Sequence, residues 1–175
     1  MEMPEIIASE LPAEALLNRY REEGAYTDCY VTPIPYGIAH AEYIEAFYTT
    51  WLFKLERWLI TRLAHRPSTD VEAGELALGK RGSFAAWDVE QRTADQLLMC
   101  DFQHRTRSWL MSVPMDNERE TRLYFGSAVV PIIDRQSGEA RMGFLFQALL
   151  GFHKLYSRAL LHLAASKLIR NASRG

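Results

Sequence analysis

The chain has the composition of an ordinary folded protein. Its 175 residues are 48% hydrophobic, and 20 basic residues against 22 acidic ones give a formal charge of −2. A chain of this length can bury roughly 70% of the surface that its unfolded form exposes, which is enough for one continuous core. The near-neutral charge excludes a general nucleic-acid binder, which carries a basic excess or a basic face. The same composition excludes disordered, collagen-like and disulfide-rich proteins.

We expect no export signal in the N-terminal segment. It opens with acidic residues where a secretory signal would be basic, and no apolar stretch follows. The longest apolar run, 142–152, is well below the ~20 residues that a membrane span needs. We therefore expect a cytoplasmic protein without a transmembrane segment. We assign 1–24, with a helix over 12–22, to an N-terminal helical extension and 25–170 to one domain.

The first half of the chain predicts a strand followed by two helices. Residues 26–32 are rich in aromatic and β-branched side chains, as strands are. Over 41–64 the apolar residues recur at helical spacing, which predicts one long helix with a buried face. Thr69 and Glu72 then form the capping box of a second, short helix. The predicted buried face of the long helix comprises Ile44, Phe47, Tyr48, Trp51, Leu52, Leu55, Trp58, Leu59 and Leu63.

Four strand-length segments in the middle of the chain predict an antiparallel meander. They span 83–92, 96–102, 106–113 and 121–130, and short polar turns separate them. The chain then ends in a helix predicted over 144–169. Strand, helices, meander and long C-terminal helix together make one α+β domain.

The positions of two turns set the register of this meander. Tight turns at 93–95 and 103–105 would place both Asp101 and Arg107 opposite Trp87. One face of the sheet is then buried and the other is largely solvated, as in a sheet covered on one side. The predicted buried face carries Trp87, Val89, Leu97, Met99, Trp109, Met111, Leu123 and Phe125.

The C-terminal helix is predicted to be amphipathic. Its apolar stripe includes Leu149, Phe152 and Tyr156, and basic residues such as Arg158 and Lys167 lie on the other side. A basic amphipathic helix can lie on an anionic membrane. We favour a solvated outer face, because the domain needs the apolar stripe to cover its sheet.

The order of elements and two short motifs resemble a known family. Over about 25–168 the chain resembles an uncharacterised bacterial helix-grip family of the START/Bet v1-like, SRPBCC type, in its stand-alone form. The resemblance implies a curved antiparallel sheet around a long C-terminal helix, with a pocket for an apolar ligand between them. It implies no catalytic residues. The two motifs are Tyr26-Thr27-Asp28-Cys29-Tyr30-Val31 and Leu150-Gly151-Phe152-His153-Lys154-Leu155.

The leading functional hypothesis is the binding of a small hydrophobic or aromatic molecule between the meander and the last helix. Asp101 and Arg107 would be the polar contacts, because buried charges persist only when they are paired or serve a ligand. The alternative for the same two residues is a water-exposed ion pair at the end of the sheet, and we favour this alternative. The predicted walls comprise Trp87, Met99, Trp109, Met111, Phe125, Leu149 and Phe152.

A second hypothesis is a cyclase or isomerase acting on an apolar substrate. If the strand face with Asp28 and Tyr30 turns inward, it offers a carboxylate and a hydroxyl for proton transfer. Strand alternation favours a solvated polar face instead. His153 is a further acid–base candidate, for which we favour a structural role. Ser127 lacks the Gly-x-Ser-x-Gly elbow of a serine hydrolase.

No residue spacing predicts a metal or another cofactor. The histidines do not form His-x-x-x-His or Glu-x-x-His pairs, and no dinucleotide fingerprint is present. Cys29 and Cys100 are predicted to be buried, reduced thiols. A third hypothesis is a non-catalytic interaction protein, for which a homodimer joined through exposed aromatics such as Phe53 or Tyr36 stays open.

Overall fold

A seven-stranded antiparallel sheet forms the centre of the protein. The computed structural model describes residues 4–115, 119–133, 140–141 and 144–173. The strands of the sheet are β1 Ile7–Ala8, β2 Tyr26–Ile34, β3 Ser83–Phe84, β4 Trp87–Arg92, β5 Gln96–Asp101, β6 Thr106–Met115 and β7 Glu120–Val129. Their order across the sheet is β1-β2-β7-β6-β5-β4-β3. A separate small hairpin pairs β8 Ile132–Ile133 with β9 Ala140–Arg141.

Five helices surround the sheet in the described part of the chain. They are α1 Asn18–Glu22, α2 His40–Tyr48, α3 Trp51–Ala64, α4 Asp70–Ala77 and α5 Phe144–Ala172. The predicted α+β fold, a curved antiparallel sheet packed on a long C-terminal helix, is confirmed. The capping box at the start of α4 is confirmed as well, whereas α1 is shorter than the predicted 12–22. Among the described helices, none combines the length and apolar character of a membrane span.

The predicted single helix over 41–64 is wrong, because Thr49 and Thr50 interrupt it and separate α2 from α3. The Thr50 backbone is extended, and its Oγ1 accepts a hydrogen bond from the Phe53 amide at 3.2 Å. A threonine in this position starts a new helix, since its oxygen pairs with an amide that has no partner in the first turn. The break turns much of the predicted buried face of α3 outward. The exposed side chains are Trp51, Leu55, Trp58 and Leu59.

The predicted meander register is right in its first hairpin as far as Val89, where a bulge shifts the pairing by one residue, and it is wrong in the second hairpin. Trp87 pairs with Asp101 as expected. Arg107, however, pairs with Cys100, so β6 is shifted by one residue. A shift of one residue moves every side chain of a strand to the other face of the sheet. The side chains displaced from the predicted face are Arg107, Trp109 and Met111.

The side chain of Asp101 explains this shift. Its Oδ1 accepts hydrogen bonds from the amides of Arg105 and Thr106, at 2.7 and 3.0 Å. His104 adopts a left-handed conformation with φ 58° in the same turn. Aspartate commonly stabilises turns by binding backbone amides a few residues ahead. The connection is therefore longer than the three-residue turn that the sequence spacing predicted.

Both faces of the sheet are buried, which corrects the prediction of one solvated face. The face that packs against α2, α4 and α5 is called the α5 face below. It carries Tyr30, Leu97, Met99, Leu110, Leu123 and Phe125. The opposite face, called the α1 face, packs against the segment around α1, including Leu17 and Tyr20. It carries Cys29, Leu98, Trp109, Met111 and Tyr124.

Candidate functional site

A small cavity lies between the α5 face and α5. Its volume is about 190 Å³. A closed space of ~150 Å³ can hold a benzene ring, whereas drug-sized ligands need roughly 300 Å³ or more. The cavity therefore fits one small ring or the end of a larger molecule. Its walls include the aromatic rings of Phe47, Phe53 and Phe125 and the polar side chains of Ser108, Ser127, His153 and Ser157.

A larger groove lies between α3, α5 and the N-terminal residues Pro4 and Ile6. Its volume is about 900 Å³, within the usual range for small-molecule sites. Large apolar side chains that are about half exposed or more surround it, with Leu155 the most exposed of them at 67%. These side chains are Trp51, Leu55, Leu59, Phe152 and Leu155.

Glu56 and Tyr156 border both the cavity and the groove. The Tyr156 hydroxyl donates a hydrogen bond to the Glu56 carboxylate. Burial raises the pKa of Glu56, although the tyrosine bond and the charge of His153 act in the opposite direction. Burial, together with the neighbouring glutamate charge, also raises the pKa of Tyr156. The pair thus forms a polar boundary between the two spaces, and its environment favours the protonated forms of both groups.

A cluster of Asp28, Ser127 and His153 lies at the polar end of the cavity. Asp28 on β2 is directly opposite Ser127 on β7. Both the amide and the hydroxyl of Ser127 donate to Asp28 Oδ1, at 3.0 and 2.7 Å. His153 Nε2 lies 2.7 Å from Ser127 Oγ and 3.3 Å from Asp28 Oδ2. The Asp28 side chain is only 8% exposed, against 32% for His153.

The hydrogen bonds of this cluster assign a role to each group. Because the Ser127 hydroxyl donates to Asp28, its oxygen accepts from His153, so the Nε2 of His153 carries a proton. The cluster differs from a serine protease triad, in which the carboxylate binds the histidine Nδ1 and the serine donates to Nε2. Such a cluster can form a hydrogen bond to a polar group of a ligand and can transfer a proton to or from it.

Sequence reasoning selected Asp28 and His153 but did not select Ser127 for this cluster. The favoured interpretation of Asp28, a solvated strand face, is wrong, because the face with Asp28 and Tyr30 turns inward towards α5. Tyr30 lies in the core rather than among the residues around the cavity, and burial followed by the Asp28 charge raises its pKa to about 12. Ser127 belongs to the cluster because it lies directly opposite Asp28 on the neighbouring strand, although 99 residues separate the two in sequence. Only the pairing of β2 with β7 shows it.

The structure divides the predicted ligand-binding residues among several locations. Trp87 and Phe125 border the cavity, and Phe152 borders the groove. Met99 is fully buried on the α5 face. Trp109 and Met111 lie on the α1 face, so they face away from α5. The side chain of Leu149 falls outside the described residues.

The predicted pairing of Asp101 with Arg107 does not form. Arg107 borders the cavity, but its Nε donates to the Tyr20 hydroxyl and to Glu90, both at 2.8 Å. Its Nη1 donates to the carbonyl of His104, also at 2.8 Å. These bonds hold the guanidinium beneath α1. Arg107 therefore anchors the N-terminal segment, and Asp101 closes a turn.

Two other predictions concern exposed aromatics and cysteines. Phe53, expected to be an exposed dimer contact, is only 3% exposed and forms a wall of the cavity, so that expectation is wrong. Tyr36 is half-buried. Cys29 and Cys100 are confirmed as buried free thiols. Within the described ranges, no three side chains from His, Cys, Asp or Glu gather as potential metal ligands.

Comparison of the chain with protein-family models, curated proteins and solved structures gives no match.

Proposed function

We propose that this protein binds a small hydrophobic molecule in the groove between α3 and α5. The observation that carries the proposal is the set of large apolar side chains exposed around one concavity of about 900 Å³. Contiguous apolar surface of this kind marks interaction sites in folded proteins. A ligand that covers the groove would remove this surface from water, at about 25 cal/mol for each Å² buried.

The neighbouring cavity adds oriented polar groups to the proposed site. Glu56 and Tyr156 stand between the two spaces, and the hydroxyl and imidazole of Ser127 and His153 lie beyond them. A mostly apolar site with a few oriented polar groups is typical of small-molecule binding. The fold is compatible with the helix-grip family that the sequence resembles, and membership of that family is part of this proposal. The proposed groove lies outside the space that the resemblance implied, because α3 rather than the sheet forms its wall.

The test is to fill the groove and measure binding of an environment-sensitive apolar dye. Ala159 borders the groove, so Ala159→Phe places a ring in the space that the ligand would occupy. We expect the variant to lose dye binding and ligand-induced thermal stabilisation, because overfilling a site excludes its occupant. Val71→Phe is the matched control, since Val71 is 73% exposed on α4 and lies away from the groove. Equal dye binding by wild type and Ala159→Phe, with both folded, would contradict the proposal.

A second candidate function is an enzyme of the cyclase or isomerase class. The supporting observation is the Asp28, Ser127 and His153 cluster at the end of the cavity, where a carboxylate and a hydroxyl hold an imidazole. Such an imidazole can move a proton at a carbon next to a carbonyl. The measurement is exchange of that proton with deuterium from solvent in small cyclic ketones. Exchange by wild type that is lost in His153→Gln supports this candidate, and no exchange by wild type contradicts it.

A further inference from the structure

Arg158 is a cation at the edge of the groove. It lies on α5, is exposed, and borders the same space as the apolar side chains. Its Nη2 donates to the carbonyl of Ile6 at 2.9 Å. Among the described residues, no ion pair includes Arg158. Since a guanidinium has five N–H donors, several of its donors are available to a ligand.

The other polar groups around the groove already pair with each other or with the backbone. Tyr156 donates to Glu56. His162 Nδ1 lies 3.2 Å from the carbonyl of Pro4, and a carbonyl only accepts, so the imidazole donates there. Arg158 therefore provides the charge that is available for recognition.

We propose that the ligand of the groove is an amphiphilic monocarboxylate, with its hydrocarbon part on the apolar side chains and its carboxylate on Arg158. This inference rests on the proposed function and specifies its ligand class. The planar fork of arginine matches the two oxygens of a carboxylate, and charge-assisted bonds of this kind are stronger than neutral ones. One available guanidinium beside an apolar groove fits a ligand with one negative charge and a long apolar body.

The test compares two ligands with the same chain, dodecanoate and dodecanol, by dye displacement below their aggregation concentrations. We expect dodecanoate to bind wild type about tenfold more tightly than dodecanol, the ratio that a single charge-assisted hydrogen-bonded contact supplies. In Arg158→Gln this preference disappears while dodecanol affinity stays the same. Arg170→Gln is the matched control, because Arg170 is an exposed arginine on α5 that does not border the groove. We expect it to keep the full preference.

The possible outcomes separate this inference from the proposed function. Equal affinity of the two ligands for wild type, or a preference that survives in Arg158→Gln, overturns the carboxylate assignment and leaves apolar binding intact. Failure of both ligands to bind overturns both proposals. Light scattering that shows a dimer dissociated by Leu155→Ser, without binding of either ligand, identifies the groove as a contact between copies of the chain and also overturns both.

Discussion

The two faces of the sheet bury polar groups in different ways. On the α1 face, two long polar side chains join the N-terminal segment to the sheet. Gln96 Oε1 accepts from the Leu16 amide and from Trp109 Nε1, both at 2.9 Å, while its Nε2 donates to the Glu14 carbonyl at 3.1 Å. Arg107 is held in the same way, between α1 and the sheet.

On the α5 face several buried polar atoms have no hydrogen-bond partner within the described part of the chain. They include Asp28 Oδ2, which only approaches His153 at 3.3 Å, together with Trp87 Nε1 and Ser157 Oγ. Buried polar groups without partners are uncommon in folded proteins, because their desolvation is not compensated. This face also borders the cavity. Gln96 and Arg107 thus fix the N-terminal segment on the α1 face, whereas polar side chains of the α5 face lie around the cavity.

The prediction with the largest expected effect on stability tests whether the polar contacts of the α1 face hold the fold together. Arg107→Met removes a guanidinium that is only 10% exposed, so Glu90, Tyr20 and the His104 carbonyl each lose one hydrogen-bond donor. We expect the free energy of unfolding to fall by about 3 kcal/mol, the lower end for breaking a buried pair, because Arg19 still pairs with Glu90. Denaturant unfolding measures this loss. The exposed Arg105 provides the matched control Arg105→Met, with a change within about 0.5 kcal/mol.

A different result for Arg107→Met would contradict the role that the comparison gives to the α1 face. A small loss of stability combined with loss of ligand binding would show that Arg107 serves the cavity, as the sequence had suggested.

A smaller effect tests the α5 face through the pH dependence of stability. His40 lies there with its Nδ1 2.8 Å from Ser112 Oγ, and burial lowers its pKa from 6.5 to about 4. Between these values the unfolded chain takes up a proton that the folded protein does not, so the contribution of His40 is complete above pH 6.5 and is lost as the pH falls towards 4. His40→Asn should flatten the decline of unfolding free energy over this range. Parallel wild-type and variant curves would place His40 in a solvated environment.

The prediction with the smallest expected effect on stability tests, by dye binding, whether the groove differs from the rest of the exposed surface. Leu155→Ser and Leu78→Ser both replace a leucine that is about two-thirds exposed, and only Leu155 borders the groove. We expect each substitution to change the unfolding free energy by less than about 0.5 kcal/mol. Dye binding should weaken in Leu155→Ser and stay unchanged in Leu78→Ser. Equal binding by the two variants would show that Leu155 is ordinary exposed surface.

Features with local causes were predictable from the sequence. The box of Thr69 and Glu72 acts within one helical turn, and its helix begins where predicted. The pairing of Trp87 with Asp101 follows from a hairpin whose strands are adjacent in sequence. Within the candidate site, Asp28 and His153 were selected because a carboxylate on a strand and an imidazole beside an aromatic residue are recognisable residue by residue.

Features that depend on a competing hydrogen bond were missed even over short distances. Thr50 ends one helix and starts another, although the apolar spacing continues through it. Asp101 lengthens a turn by binding two amides, and this moves β6 by one residue. In both places a side-chain oxygen captures backbone amides, and apolar periodicity does not contain that information.

The sequence by itself determined the α+β class and the order of the elements, because strand and helix periods and helix caps arise from neighbouring residues. Only the tertiary structure decided which faces are covered, that Ser127 joins Asp28 and His153, and that the apolar side chains of α3 border an open groove. The physical reason is that burial and pairing depend on which distant segments pack together. The N-terminal segment covers the α1 face, and the break at Thr50 directs apolar residues of α3 away from the core.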